Sequence, residues 1–188
     1  MVIQLCTPAD LPEVLDITLE VFGPFYEQTF RSMVTPEVFE HQHGSWAEDY
    51  RRMVPGLLSD EQGKHVVLAR EGSEIAGYLA WHTDIDRRHG EIDILCVREQ
   101  WRGKGFGRAL CAWAIEPMRS EGAEVVQIGT GGDDFHAPAR HLYESLGFSL
   151  VPVAVSCTTS AEGPQIIRKV FSSRASTAAV WPLASLAA

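Results

Sequence analysis

The hydrophobic positions of this chain mark out amphipathic helical stretches and short apolar strand runs. Residues 2–6 read as a short strand. Thr7-Pro8-Ala9-Asp10 then opens a helix to about Val21, whose apolar side carries Leu11, Val14, Leu15 and Ile17 to Leu19. Residues 22–30 are aromatic and interrupted by Gly23-Pro24. A second helical stretch runs over about 36–53, and Pro55-Gly56 breaks it. Strands are then expected at 66–70 and 74–82 around the turn Glu71-Gly72-Ser73, and at 91–97 after a turn at 86–90. A helix over about 106–120 follows, then a strand at 125–129 and a helix that Asp133 or Asp134 can cap, Pro138 can start and Gly147 can end. Two last strands are expected at 148–157 and 165–171. The Ala- and Ser-rich stretch 172–188 reads as a tail, or as an arm on a neighbouring subunit, which leaves one α/β domain over 1–171.

The chemistry concentrates where the strand ending at Val97 meets the helix beginning at Phe106. The linking run is Arg98-Glu99-Gln100-Trp101-Arg102-Gly103-Lys104-Gly105-Phe106-Gly107-Arg108. A turn of alternating glycines at a helix start collects backbone N–H groups and the positive end of the helix dipole at one spot, a good seat for a pyrophosphate. Gly103, Gly105 and Gly107 let the main chain approach an anion, and Arg102, Lys104 and Arg108 add charged donors. A Walker loop does not fit, because no Gly-x-x-x-x-Gly-Lys-Ser/Thr run exists. A dinucleotide fingerprint fits poorly, because the spacing is Gly-x-Gly-x-Gly and it lies mid-chain. A coenzyme A seat and a basic turn that binds nothing are the other readings.

Charge narrows the partners. A formal net charge of −9 argues against nucleic acid and favours a cationic small molecule. No apolar run is long enough to span a membrane and no signal pattern opens the chain, so a cytoplasmic location is expected. Cys6, Cys96, Cys111 and Cys157 have no metal-ligand spacing; they read as mainly buried thiols, and no metal is expected.

The pattern Arg-Gly-x-Gly-x-Gly between a strand and a helix resembles motif A of the GNAT superfamily of N-acetyltransferases. His136-Ala137-Pro138-Ala139-Arg140-His141-Leu142-Tyr143-Glu144-Ser145-Leu146-Gly147-Phe148 resembles its motif B, matching at Ala139, Leu142, Tyr143, Glu144, Gly147 and Phe148, with His136 where the family usually has Asn. The resemblance covers residues 66–171. It implies a mixed, mostly antiparallel sheet with helices on both faces and two central strands that splay apart. It also implies acetyl-CoA as cofactor, held by Leu95, Cys96, Val97, Arg102 to Arg108, His136 and Ala139, with a homodimer as a possible assembly. Direct acetyl transfer to an amine follows, with Tyr143 as the acid for the leaving thiolate, a backbone N–H within 95–97 for the oxyanion, and Glu91 in the place of a general-base glutamate.

An amine with a pKa of about 10.4 costs about 4.6 kcal/mol to deprotonate at pH 7, so a carboxylate beside it is useful. Glu91 and Asp93, two apart on one strand, are expected to share a face. Glu20, Glu27, Asp93, Tyr26 and Trp81 are the expected acceptor-binding residues, with Trp46 and Phe25 as further candidates to line the acceptor site; Glu20, Glu27 and His82 are weaker candidates for the base. The preferred acceptor is a small cationic amine, with an aminoglycoside-type antibiotic such as kasugamycin as the favoured example, and hence a resistance function. The alternatives are acetylation of a protein lysine or N-terminus, or a non-catalytic acyl-CoA sensor.

Overall fold

The computed structural model describes residues 1–59, 63–153 and 176–182. Its centre is a seven-stranded sheet of order β1-β2-β3-β4-β5-β7-β6. The strands are β1 (Val2–Leu5), β2 (His65–Glu71), β3 (Glu74–Asp84), β4 (His89–Val97), β5 (Val125–Thr130), β6 (Ser149–Val153) and β7 (Ser176–Pro182). Among the described residues only β4 and β5 pair in parallel; the other neighbours are antiparallel. Among the described residues no helix is long and apolar enough to cross a membrane.

Helices cover both faces, so the inner strands are buried on each side. One core packs beneath α5 (Phe106–Ser120) and includes Val67, Leu79, Trp81, Ile92, Leu110, Ile128 and Tyr143. The other packs beneath α1 (Leu11–Pro24) and includes Val14, Ile17, Leu68, Tyr78, Ile94 and Cys96. α6 (Ala137–Ser145) adds Ala139 and Leu142 to the first core.

Proline and glycine redraw two expected boundaries. α1 does not end at Val21 but runs through Pro24 into a π-helical turn, Phe25–Phe30, and the short α2 (Arg31–Met33). Pro24 lacks the N–H that would close an ordinary helical turn, and the widened bonding takes up the defect. The single helix expected over 36–53 is two, α3 (Pro36–His43) and α4 (Trp46–Met53), separated at Gly44-Ser45. A Cβ at Gly44 would stand 2.6 Å from the Glu40 carbonyl oxygen, so only glycine lets the chain turn there.

Residues 172–188 were expected as a tail. Ser176–Pro182 instead forms β7, inserted between β5 and β6. The far edge of β5 carries unpaired backbone groups, and an extended segment satisfies them. The strand expected at 165–171, residues 154–157 and Cys157 lie outside the described residues.

Candidate active site

β4 and β5 pair from His89↔Val125 to Ile92↔Ile128 and then separate. The fork coincides with a β-bulge. Across β3 the register reads Ala80↔Ile94 and then Trp81↔Ile92, so Asp93 is an extra residue with no partner in β3. The bulge flips the phase of the strand: Ile92 belongs to the core under α5, whereas Ile94 and Cys96 belong to the core under α1. Strict two-residue alternation, on which the shared face of Glu91 and Asp93 was argued, therefore fails at this point.

Beyond the bulge the backbone of β4 is half open. The Arg98 N–H donates to the Ala76 carbonyl at 2.9 Å. Hydrogen-bonded residues alternate in an antiparallel ladder, so Cys96 and Ile94 also bond β3, while Leu95 and Val97 turn their N–H and C=O groups into the fork. The Val97 carbonyl accordingly accepts from Arg102 Nε at 3.2 Å. Cys96 was expected at the cofactor; its side chain is instead wholly buried in the α1-side core, where desolvation pushes the thiol up to about 12.

A cavity of about 740 Å³ runs through the fork and joins the two faces of the sheet. On the α5 side it is lined by Arg102, Gly103, Gly105, Phe106, Gly107 and Arg108 and by Pro138, Ala139, His141, Leu142, Tyr143 and Ser145. On the α1 side it is lined by Val21, Phe22, Tyr50 and Met53. Asp93, Ile94, Leu95 and Ile128 stand between them, and Phe135 and His136 close it from the β5–α6 loop.

The glycine turn has the form an anion seat requires. Gly103 and Gly105 have φ of 72° and 87°, in the left-handed region, and a Cβ on either would project into open space. The first bond of α5 is from Ala109 N–H to the Gly105 carbonyl, which leaves the N–H groups of residues 106–108 free of helical partners. Gly107 is small for another reason: its Cβ would lie 2.9 Å from Leu142 Cδ2, where α5 meets α6. Arg108 Nη2 donates to Ser145 Oγ at 2.7 Å and ties those helices together beside the seat. Lys104 does not line the cavity; its ammonium sits 4.7 Å over the Trp101 ring.

Tyr143 lies on α6 with 3% of its surface exposed, packed 5.9 Å from the Phe148 ring, and it lines the cavity. Burial pushes its phenol well above the usual tyrosine range, so the group stays protonated and able to donate. His136 Nδ1 lies 2.8 Å from Asp133 Oδ2, and the Asp133 carboxylate also accepts the His136 backbone N–H at 3.2 Å. Arg140 Nη1 holds the same loop through the carbonyls of Gly131 and Asp133, at 2.6 and 2.7 Å. A Cβ at Gly131 would come within 2.3 Å of both Asp133 Oδ2 and His136 Nδ1, so this loop too depends on glycine.

The carboxylates divide sharply. Asp93 opens onto the cavity, with His82 Nδ1 at 3.0 Å from one oxygen and Lys64 Nζ at 3.2 Å from the other. Glu91 pairs with His82 across β3 and with Gln127 across β5, inside the closed part of the ladder, and does not line the cavity. Glu20 is bound by Arg98. Glu27 accepts from Trp46 Nε1 at 2.8 Å and from Arg31 at 3.1 Å, and these contacts, the Trp46 bond first, hold its carboxyl below the usual range. Neither Glu20 nor Glu27 lines the cavity.

The expected aromatic residues also divide. Trp81 is 1% exposed, stacked 5.2 Å from His65 and edge-on to Trp113 at 5.6 Å, and it belongs to the core rather than to an acceptor pocket. Its position on β3 faces α5, where a large ring has helix to bury against. Tyr26 supports the cavity wall from behind: it stacks on Trp46 at 5.1 Å, and its hydroxyl lies 3.4 Å from that of Tyr50. Phe25 packs on His136 at 4.7 Å and on Phe135 at 5.4 Å. The sequence offered Tyr26 and Phe25 for the acceptor site but missed Tyr50, Met53 and Phe135, which come to the cavity from other elements.

A family model described as Acetyltransferase (GNAT) family matches residues 25–148. The chain belongs to the GNAT acetyltransferase family. A mycothiol acetyltransferase of Thermobispora bispora is 30% identical over 154 residues, covering 77% of this chain and 51% of that protein. An aminoalkylphosphonate N-acetyltransferase of Salmonella typhimurium is 32% identical over 88 residues, covering 44% of this chain and 57% of that protein. The chain thus spans about half the length of these curated relatives. The PaiA N-acetyltransferase of Thermoplasma acidophilum, solved in complex with coenzyme A, superposes with a TM-score of 0.65 at 13% identity, covering 97% of this chain and 99% of that one. A GNAT-family protein of Desulfovibrio desulfuricans gives 0.66 at 20% identity, covering 96% and 98%. These two likenesses are of fold, and the GNAT fold is the one described above.

Proposed function

We propose that this GNAT protein is an acetyl-CoA-dependent N-acetyltransferase acting on a small amine. The observation that carries the reading is the through-cavity at the fork: a phosphate-type seat opens on the α5 face, an apolar pocket opens on the α1 face, and the two meet at Asp93 and Leu95. The seat fits coenzyme A, because the left-handed glycines leave open space beside the free N–H groups at the start of α5. The family relation adds to this, as does a fold shared with neighbours solved with coenzyme A or acetyl-CoA.

Residues 103–108 would hold the pyrophosphate, and the Leu95 and Val97 backbone groups the pantetheine arm. Bound there, acetyl-CoA supplies an activated acetyl thioester, and the products are an amide, the free thiol and one proton. In this reading Asp93 takes up the proton of the incoming ammonium, and Lys64 and His82 fix the direction of its carboxylate. The Leu95 N–H points at the developing oxyanion. Tyr143 donates its proton to the departing sulfur. Glu91, the base expected from motif spacing, remains one ladder step below the fork.

The finer expectation of an aminoglycoside such as kasugamycin is supported by the net charge of −9. The acids counted toward a polycation do not converge, however: neither Glu20, bound by Arg98, nor Glu27, bound by Arg31 and Trp46, lines the cavity. Calorimetric titration with coenzyme A, followed by thiol release from acetyl-CoA across an amine panel, tests the proposal. Binding with amine-dependent release is expected. Binding without release from any amine would favour the non-catalytic acyl-CoA sensor.

A further inference from the structure

We infer that the acceptor is a primary amine carried on an aromatic or similarly flat apolar body, with a single cationic nitrogen. This rests on the acetyl-transfer reading above. The polar residues of the cavity gather on the α5 side, while the α1-side end is walled by Val21, Phe22, Tyr50 and Met53, with Phe135 above them. Phe22 and Tyr50 are stacked at 5.4 Å with only 12° between their planes, so the two rings hold each other in place as one rigid aromatic part of the wall. That surface is braced: Tyr26 meets the Tyr50 hydroxyl and is itself stacked on Trp46.

Among the described residues Asp93 is the only carboxylate that lines the cavity. It stands at the fork, between the ring surface and the Leu95 backbone. A monoamine can therefore place its nitrogen at Asp93 and its apolar body against Phe22 and Tyr50. A polycation would leave its further ammonium groups against Val21, Phe22 and Met53 with no counter-charge, which costs desolvation energy that nothing returns. In the transfer step the ammonium gives one proton to Asp93, and the nitrogen lone pair forms the C–N bond as the C–S bond breaks. The nitrogen, once bonded to the acetyl carbon, gives its second proton to solvent; the thiolate takes a proton from Tyr143, which recovers one from solvent, and Asp93 releases the proton it took. The sum is one amide, one thiol and one released proton.

The experiment compares kcat/KM for phenethylamine, tyramine, ethanolamine, kanamycin and a lysine peptide at saturating acetyl-CoA, with coenzyme A affinity measured separately by calorimetry. Phenethylamine and tyramine should exceed ethanolamine by about 100-fold, the discrimination that burial of a ring in an apolar pocket implies. Met53 is 38% exposed, at the rim of the cavity, so Met53→Glu should fold. It should cut the ring preference by at least about tenfold with coenzyme A affinity unchanged. Best turnover of kanamycin or of the peptide, or parity of ethanolamine with phenethylamine, would overturn the inference. Coenzyme A binding with no amine acetylated would overturn it while sparing the cofactor seat. Failure to bind coenzyme A at all would instead overturn the transfer reading beneath it.

Discussion

Ile92 of β4 pairs with Ile128 of β5, and the parallel ladder ends at that pair. The next residue, Asp93, is bulged out of the β3 register and opens onto the cavity with Lys64 and His82 on its two oxygens. Asp93→Asn keeps the shape and removes the charge. It should lower kcat/KM at pH 7 by about 10²–10³-fold and move the pH–rate profile to higher pH, because the amine must then lose its proton to solvent. Glu91→Gln should leave the profile in place. A profile that moves with Glu91 and not with Asp93 would return the base to the position the motif spacing suggested.

Tyr143 is buried, and its phenol stays protonated across the working range. Tyr143→Phe should keep coenzyme A affinity and lower kcat by about 10²–10⁴-fold, the usual worth of a general acid. Single-turnover measurements separate chemistry from product release. Unchanged chemistry would make Tyr143 a packing residue of the α5-side core.

Gly105 combines a φ of 87° with open space where a side chain would project. Gly105→Val therefore acts twice: the backbone conformation costs about 1–3 kcal/mol for a residue with a Cβ, and the new methyls occupy the phosphate seat. Coenzyme A affinity should fall far more than stability does, and calorimetry beside thermal unfolding reads the two apart. Equal affinity would show that the anion does not sit at this turn.

Burial raises the thiols of Cys96 and Cys111 from 9.0 to about 12. The sign follows directly. Below pH 9 both thiols are protonated, folded or unfolded, and contribute no pH dependence. Between about pH 9 and pH 12 the unfolded chain loses those protons and the folded one keeps them, so stability falls as pH rises. Each thiol contributes a slope of about 1.4 kcal/mol per pH unit in that window. Denaturant unfolding at pH 8 and pH 10.5 should show the loss, and Cys111→Ala should shrink the slope.

Much of the protein was legible before its fold was known. Apolar runs bounded by turn residues marked β2 to β5, because a sheet covered on both faces must place apolar side chains on both sides of each strand. The form of the glycine turn before Phe106 was legible, because left-handed backbone and free helix-start N–H groups are local properties, and the motif around Tyr143 marked the residue that lies on the cavity wall. What the sequence could not decide depends on partners distant in the chain. Whether Asp93 or Glu91 reaches the cavity turns on a bulge that exists only in the pairing of β4 with β3 and β5. Glu20 and Glu27 read as free acids until Arg98, Arg31 and Trp46 are brought against them. Trp81 read as a pocket wall until α5 closed over it. Tyr50, Met53 and Phe135 meet Phe22 only through the packing of α4 and the β5–α6 loop against α1. The sequence determined which local conformations and which chemistries were present; tertiary packing decided which of those groups were already paired and which were left facing the fork.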